Sequence, residues 1–587
     1  MIFSKTILRF ITLFKQLGNF NVTRLVLFSG LMGVLGAVAS LIFTHLVEFL
    51  NSFFLVGLAG YQIPKLATEG GDLTEKIGSH WRWLIPLVTT SGALISGWLV
   101  FRFAPETEGH GTDAVVKSYH QQGGRIRQRV PFLKLISAAL TIGSGGSAGR
   151  EGPTAQITAG LGSLIADWFS LDERERRLMI LTGMAAGLSA MFRSPFGAAI
   201  FAIEILYHGM EFEARHLIYT IIAAVTAYAV NGIFFGWTPI FQIPSGLTFQ
   251  RPGVLVWFVV LGIIAGMLGS ILPRLFYRLR DGFNRIPVNP IFKPALGGLA
   301  LGLLALAVPQ VLGGGYGWMQ LAINGELGFG LVCLLMVTKP LAMSFTISSG
   351  GSGGVFAPTL FIGTMIGVAL AQGVDTVFPG VNLNIPSFAI VGMACLFGGA
   401  ARVPIAALMM VVEMTGGYGL LVPTMITVAL SYLVQSALRI DRKYPTLYEA
   451  QVADRSESPV HRQEYVNKTL QLLRSNNLRQ LTKDKLISLS LQDIVKWPTP
   501  LEIKETGQFF LLGLVRRHSP LAGKRLKDTN ISNADYRILA VIRDGDFQVP
   551  EGNTILYPGD KVILIIKKES YPQIKDSIRI PYLDRMK

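Results

Sequence analysis

The sequence predicts an all-α polytopic membrane protein, some of whose helices are broken, followed by a small α+β domain at the C-terminal end. Three observations carry this reading. Half of the 587 residues are hydrophobic, mean hydropathy is +0.45 and only 15% are charged, whereas a soluble globular chain carries about 25%. Apolar stretches recur from Thr23 to about Leu438. A glycine-rich motif also occurs twice inside that apolar region.

The first 22 residues contain MIFSKTILRFITLFKQLGNF, in which basic residues are interleaved with Phe, Ile and Leu. They read as an amphipathic helix at the membrane surface. A cleaved signal peptide is the weaker reading, since no small-residue cleavage site follows. The transmembrane domain is expected over residues 23–453, with apolar runs at Leu25–Leu50, Leu84–Phe103, Leu217–Phe235, Val254–Leu272, Pro294–Val311, Leu327–Phe345 and Leu420–Leu438. Several approach the roughly 20 residues that a spanning helix needs. The segments after Pro153, Pro195, Pro358 and Pro404 are expected to be shorter helices that start inside the membrane, because proline suits a first turn whose N–H groups are unpaired anyway.

Charge predicts orientation. Arg125–Arg129, Arg274–Arg285 and Arg439–Lys443 are basic, while Gly232–Gly246 carries no charge. By the positive-inside rule the basic clusters face the cytoplasm, as do both termini, and the uncharged connection faces out. The net charge of +16 is then mostly juxtamembrane anchoring, and nothing calls for nucleic acid. Cys333 and Cys395 lie in apolar segments and read as core packing, not as a disulfide or metal site.

The repeat is the most informative feature. TIGSGGSAGREGPT at 141–154 aligns without a gap on TISSGGSGGVFAPT at 346–359, with nine identities in fourteen positions. A second pair follows at nearly the same offset: Gly183-Met-Ala, Arg193, Pro195 and Glu204 against Gly392-Met-Ala, Arg402, Pro404 and Glu413. Two halves, about 80–240 and 290–450, with glycine-rich loops leading into helices at matching places are the pattern of a repeat-built transporter. Irregular backbone at membrane depth is tolerated only where it is buried in protein or lines a cavity. Glycine lets N–H groups approach a ligand closely, and a helix start offers unpaired donors and a positive dipole end. Two such starts converging from opposite halves predict an anion site that uses no full positive charge. Close packing of helices is the alternative use of the glycines.

GREGP at 149–153, GVFAP at 354–358 and the Pro–Glu segments after Arg193 and Arg402 resemble the CLC family of chloride channels and chloride/proton antiporters, over about residues 20–455. The resemblance implies two inverted repeats, a homodimer with a pore in each subunit, and a central anion site. It implies that Glu151 is the gating glutamate, in a loop with Gly149 and Arg150. It implies that Gly354, Val355 and Phe356 line the site with backbone donors, and that the Tyr448 hydroxyl faces the anion.

Two departures from the family pattern stand out. Where the family usually has Gly-Ser-Gly-Ile-Pro, this chain has Gly109-His110-Gly111-Thr112-Asp113. His110 therefore takes the place of an anion-contacting serine, which suits a larger or more basic oxyanion such as bicarbonate or nitrate. An isolated histidine is more commonly structural, and that reading stands beside it. The antiporters also carry a proton-transferring glutamate directly after the position of Glu204, and Ile205 occupies it here. Isoleucine carries no proton, so that route is absent and a passive channel gains weight, with proton coupling through water or another group such as His110 as the alternative. Glu204 and Glu413 are repeat-related and read mainly as hydrogen-bonded structural carboxylates, with a proton-handling role as the alternative.

Residues 454–506 read as a linker. From residue 507 to 587 short β-runs alternate with turn residues, and the stretch resembles the C-terminal lobe of domains that regulate potassium conductance. That resemblance implies a regulatory or dimerising module with a small-molecule ligand as a further partner. The eight histidines show no zinc-binding spacing, so neither an enzyme nor a cofactor is expected. The non-transport alternative is a ligand-sensing membrane receptor on the same scaffold.

Overall fold

The structure is a computed structural model. It describes residues 21–460 apart from 79–80, 245, 250, 439–442 and 456, together with 501–503, 508–516, 519–529, 536–543, 546–548, 550, 552–567 and 578–579. The surface helix expected over 1–22 and most of the 454–506 linker lie outside the described residues.

The chain up to Ala453 forms one unit, and Asp454–Lys587 forms another. In the first unit the two halves carry the same series of helices. The first half has α1 (Asn21–Asn51), α2 (Trp81–Phe103), α3 (Thr112–Gln121), α4 (Val130–Gly143), α5 (Glu151–Trp168), α6 (Glu173–Phe192), α7 (Pro195–Glu204) and α8 (Leu217–Phe235). The second has α9 (Leu255–Arg285), α10 (Lys293–Ala307), α11 (Tyr316–Ile323), α12 (Phe329–Ile347), α13 (Phe356–Val377), α14 (Ile385–Ala401), α15 (Pro404–Thr415) and α16 (Leu421–Leu438). Among the described residues, eight helices are long and apolar enough to cross a membrane.

The proline-led segments differ from one another. α7 and α15 are short, at 10 and 12 residues. By contrast α13, expected to be short, has 22 residues and could span a bilayer. It continues past its first turns because Leu360–Val368, Ala371 and Val374 are buried against neighbouring helices.

Repeat-related helices pack through repeat-related glycines. A Cβ on Gly162 would lie 2.2 Å from the Met179 carbonyl, and one on Gly183 would lie 2.3 Å from that of Thr158. In the second half the corresponding glycines do the same: a Cβ on Gly367 would lie 1.9 Å from the Phe388 carbonyl, and one on Gly392 would lie 2.4 Å from that of Gly363. Between apolar helices in lipid there is little hydrophobic drive, so association depends on such close backbone approach. α6 starts in a capping box: the Asp172 carboxylate accepts the Glu175 N–H at 2.7 Å, and the Glu175 side chain accepts the Asp172 N–H at 3.3 Å.

Between α1 and α2 two short antiparallel strands pair, β1 (Tyr61–Gln62) and β2 (Lys76–Ile77). The second unit is an antiparallel sheet of β3 (Leu501–Ile503), β4 (Gln508–Val515), β5 (Tyr536–Arg543), β6 (Asp546–Gln548), β7 (Lys561–Lys567) and β8 (Ile578–Arg579). Its strand order is β3-β4-β7-β5-β6, with β8 pairing β4. β3 falls within the stretch read as linker, because Leu501–Ile503 pairs with Gln508–Phe510 and extends the sheet. Leu511, Val541, Val562, Leu564 and Ile566 form its buried face.

One polar contact fixes the β5–β7 end of this sheet. The Asp560 side chain is only 4% exposed. It accepts hydrogen bonds from Arg543 Nε at 2.9 Å, Arg543 Nη2 at 2.7 Å and the Tyr557 N–H at 2.8 Å. Burial would raise its carboxyl, but the Arg543 and Tyr557 donors outweigh that and hold it below the usual carboxylate range. Because the folded value is depressed, the stabilisation is complete above the unfolded value of about 3.9 and is lost as pH falls through the folded value. Arg543→Met should cost about 2 kcal/mol at pH 7. In the full-length protein this would appear as faster amide exchange in β5 and β7, and the difference from the parent should vanish in strong acid.

Candidate functional site

The two glycine-rich loops meet. The Gly149 N–H donates to the Gly354 carbonyl and the Gly354 N–H donates to the Gly149 carbonyl, both at 2.8 Å. An exchange of this kind, in which one residue does to the other what is done to it, is what a local two-fold relation between the halves produces. Gly145 and Gly350 turn the two loops with the same φ of +102°, which residues bearing a Cβ rarely adopt. The loops feed α5 and α13, which begin at Glu151 and Phe356. First-turn N–H groups have no acceptor within their own helix, so the junction presents two sets of unpaired donors. The Phe356 ring packs on Phe192 and Phe397, with centroids 4.5 and 4.1 Å away, and fixes the start of α13.

A third glycine loop closes one side. The Gly109 N–H donates to Gly351 at 3.0 Å, and the Gly353 N–H donates to Gly109 at 3.2 Å. His110 is thereby buried, 7% exposed, with its ring edge-on to Tyr448 at 5.1 Å between centroids. Its Nδ1 is buried without a hydrogen-bond partner among the described residues. Tyr448 sits in a tail that is tied to both halves: Ala450 N–H donates to Asp113, and Gln451 Nε2 donates to the Ile205 and Ala401 carbonyls. His110 and Phe276 line a cavity of about 940 Å³ whose walls include Lys117, Arg125, Arg127 and Arg280 alongside Glu106, Glu108 and Asp113.

Glu151 faces the other way. Its carboxylate is fully buried, and Oε1 accepts a hydrogen bond from the Tyr316 hydroxyl. Arg150 pairs with Glu69 at 2.5 Å, and its guanidinium lies 5.6 Å from the Tyr316 ring centre. Glu69, Arg150 and Tyr316 line a second, smaller cavity of about 110 Å³. Glu151 thus bonds to Tyr316, which lines the smaller cavity, while the neighbouring Gly152 abuts the carbonyl of His110, which lines the larger one.

The repeat-related carboxylates cross over. Glu204, at the end of α7, accepts the N–H groups of Ile405 at 3.2 Å and Ala406 at 2.7 Å, at the start of α15. Glu413, near the end of α15, accepts Phe196 at 3.3 Å, Gly197 at 2.9 Å and the Ser194 hydroxyl at 2.5 Å, at the start of α7. These two helix starts are thus already occupied by anionic side chains. Ile205 is fully buried, and close by in sequence Glu213 accepts the Tyr207 hydroxyl at 2.6 Å.

Sequence reasoning missed three residues. Lys134 and Lys339 are both wholly buried. Lys134 donates to the Thr107 and Gly109 carbonyls at 2.9 and 2.8 Å, and Lys339 to Val311 and Gly313 at 2.8 and 2.7 Å. They stand seven residues before Thr141 and Thr346, so extending the repeat alignment backwards would have found them. Tyr316 follows the glycines 313–315 as Thr112 follows Gly109-His110-Gly111, but no feature of the sequence aims it at Glu151.

The family model for voltage-gated chloride channels matches residues 92–436. The H(+)/Cl(-) exchange transporter ClcA of Salmonella arizonae is 33% identical over 392 residues, which span 64% of this chain and 81% of that protein. The chain belongs to the CLC family. CLC proteins are transporters and not enzymes, and this one is an integral, multi-pass membrane protein. Its fold is similar to that of a slow cyanobacterial Cl-/H+ antiporter, with a TM-score of 0.62, 24% identity, and coverage of 70% of this chain and 94% of the other. A CLC-type fluoride/proton antiporter gives a TM-score of 0.61 at 24% identity over 74% and 98%. A TrkA-C domain model matches residues 514–579, within the second unit.

In this CLC chain Gly152 tolerates no side chain. A Cβ there would lie 2.0 Å from the His110 carbonyl oxygen and 3.0 Å from Gly354 Cα, both backbone atoms. Gly152→Ala should destabilise the membrane domain by about 2–3 kcal/mol, read as a lowered unfolding midpoint in detergent. Gly330→Ala, where nothing lies within 4 Å, is the control and should leave the midpoint unchanged.

Proposed function

We propose that the protein moves small inorganic anions across a membrane, by way of the junction where α5 and α13 begin, with Glu151 as the gate. The observation that carries this reading is the reciprocal Gly149–Gly354 pairing, which sets two helix starts against each other with a carboxylate between them. Unpaired N–H groups and helix dipoles attract an anion without holding it as a fixed ammonium at contact distance would. A charged Glu151 competes for the same donors, and a protonated one leaves them free. The named relatives exchange protons for chloride, which supports chloride as a substrate class.

Ile205 removes the inner proton carrier of the antiporters, so the reading favours proton-gated or voltage-gated conduction over tight exchange. The large cavity beside His110, with Arg125, Arg127 and Arg280 in its wall, is taken to face the cytoplasm together with both termini. The functional unit is read as a homodimer. Its second unit is read as a regulatory module that takes a small ligand.

Anion flux into proteoliposomes, measured with chloride, bicarbonate, nitrate and fluoride while proton movement is recorded, tests this reading; no flux of any anion would leave the receptor alternative. Glu151→Gln removes the competing charge, and its flux should become insensitive to pH. Retained pH dependence would remove Glu151 from the gate.

His110 is proposed to select among anions, because its unpartnered Nδ1 lies buried beside Tyr448 at the head of the cavity. A hydrogen bond to a charged partner contributes about 1.5–3 kcal/mol, and about 1.4 kcal/mol is tenfold in an equilibrium constant. His110→Ser should shift the preference towards chloride by about tenfold, as read from competition between chloride and nitrate or bicarbonate. Unchanged selectivity would leave His110 a packing residue.

A further inference from the structure

We propose that Tyr316 is a latch on the gate: its hydroxyl holds the charged Glu151 carboxylate in place, and Arg150, tethered to Glu69, sets how firmly that charge is held. The inference rests on the reading of Glu151 as the gate.

The latch comes from a loop that duplication placed and divergence re-equipped. Gly109-His110-Gly111-Thr112 and Gly313-Gly314-Gly315-Tyr316 stand at equivalent places before α3 and α11. Each is bolted from behind by a buried lysine, Lys134 or Lys339, through a pair of carbonyls. In the first half the middle residue carries the functional ring. In the second half the middle residue is glycine, and the ring comes instead from the first residue of the helix.

The Tyr316 ring has little freedom. The Gly313 N–H donates to the Gly145 carbonyl at 3.2 Å, which joins the loop to the one that carries Glu151. Gly315 has a φ of +86°, and a Cβ on it would lie 2.5 Å from the Phe361 ring. The Tyr316 ring itself lies 5.9 Å from that of Phe241 and 5.6 Å from the Arg150 guanidinium. With the ring confined, the hydroxyl is presented to Glu151 Oε1.

The groups around Glu151 come from several elements. Arg150 precedes it in its own turn, Tyr316 comes from α11, the Ala357 N–H from α13 and Tyr448 from the tail after α16; Lys339 of α12 lies behind the Gly315 turn. Glu69 lies beyond Arg150 and neutralises it. Glu151 Oε2 has no hydrogen-bond partner among the described residues; the Tyr316 phenol is the side-chain donor to this carboxylate, and the backbone N–H of Ala357, in the first turn of α13, lies close to it. A donor of this kind favours the charged form over the protonated one. Removing it makes the carboxylate take up a proton at higher pH. Removing the Glu69 charge has the opposite sign, since Arg150 then acts on Glu151 with its full positive charge.

The test is anion flux in proteoliposomes across a range of symmetric pH, for the parent, Tyr316→Phe and Glu69→Gln, each also in a Glu151→Gln background. Tyr316→Phe keeps the ring and should move the pH midpoint up by about one unit, a roughly tenfold change in proton affinity. Glu69→Gln should move it down. Neither should have any effect when residue 151 is Gln. If Glu151→Gln abolishes pH dependence but Tyr316→Phe leaves the midpoint in place, the latch is wrong and the gate survives. If Glu151→Gln retains pH dependence, the gate reading fails first. A Tyr316→Phe shift that persists in the Glu151→Gln background also overturns the latch, because the hydroxyl would then act through another group. Should Tyr316→Phe fail to give a monodisperse protein, Glu69→Gln decides alone, and an unmoved midpoint counts against the proposal.

Discussion

Two glycine backbones that exchange hydrogen bonds in the middle of an apolar protein hold the site together. The Gly149–Gly354 pairing satisfies the loop backbone just before each helix begins, and it leaves the first-turn donors of α5 and α13 as the groups still seeking a partner. Backbone polarity buried away from water must be paired or must meet a ligand. The glycines are needed for contact as well as for turning: at Gly152 and Gly354 a neighbouring backbone occupies the space that a Cβ would take.

Charge inside the membrane domain is handled by pairing it with backbone dipoles. Glu204 and Glu413 each close the helix start opposite, so two of the four proline-associated helix starts are sealed by carboxylates and the other two stay open around Glu151. Lys134 and Lys339 likewise spend their donors on loop carbonyls, and each fixes one glycine loop, 107–109 to α4 and 311–313 to α12. Basic side chains are therefore present close to the site, but their donors are engaged with the scaffold. This is consistent with an anion meeting mainly partial charges, from which it can leave.

Symmetry explains the scaffold, and broken symmetry explains the chemistry. The lysines, the crossed carboxylates, the paired glycines and the αL residues Arg193 and Arg402 all occur twice. The residues with an assigned chemical task do not: Glu151 faces Phe356 in the alignment, His110 faces Gly314, and Tyr316 faces Thr112. Two equal halves build a two-fold cradle, and a pathway with distinguishable ends needs different side chains at its two mouths.

The sequence by itself determined the membrane class, the duplication, the glycine loops and the positions of Glu151, His110, Glu204 and Glu413, because hydropathy, offset and residue type are properties of the linear chain. It misjudged α13, since the length of a helix beyond its proline depends on whether neighbouring helices bury the later turns. It missed the lysines, which in isolation look like charge to be placed at an interface. Tertiary structure alone decided that Glu204 closes α15 rather than its own helix, that Tyr316 reaches Glu151 across 165 positions of sequence, and that His110 keeps an unpartnered nitrogen beside Tyr448. Each is a contact between segments brought together by the two-fold packing of the halves, and a hydrogen bond depends on distance and direction in space, which spacing along a chain does not encode.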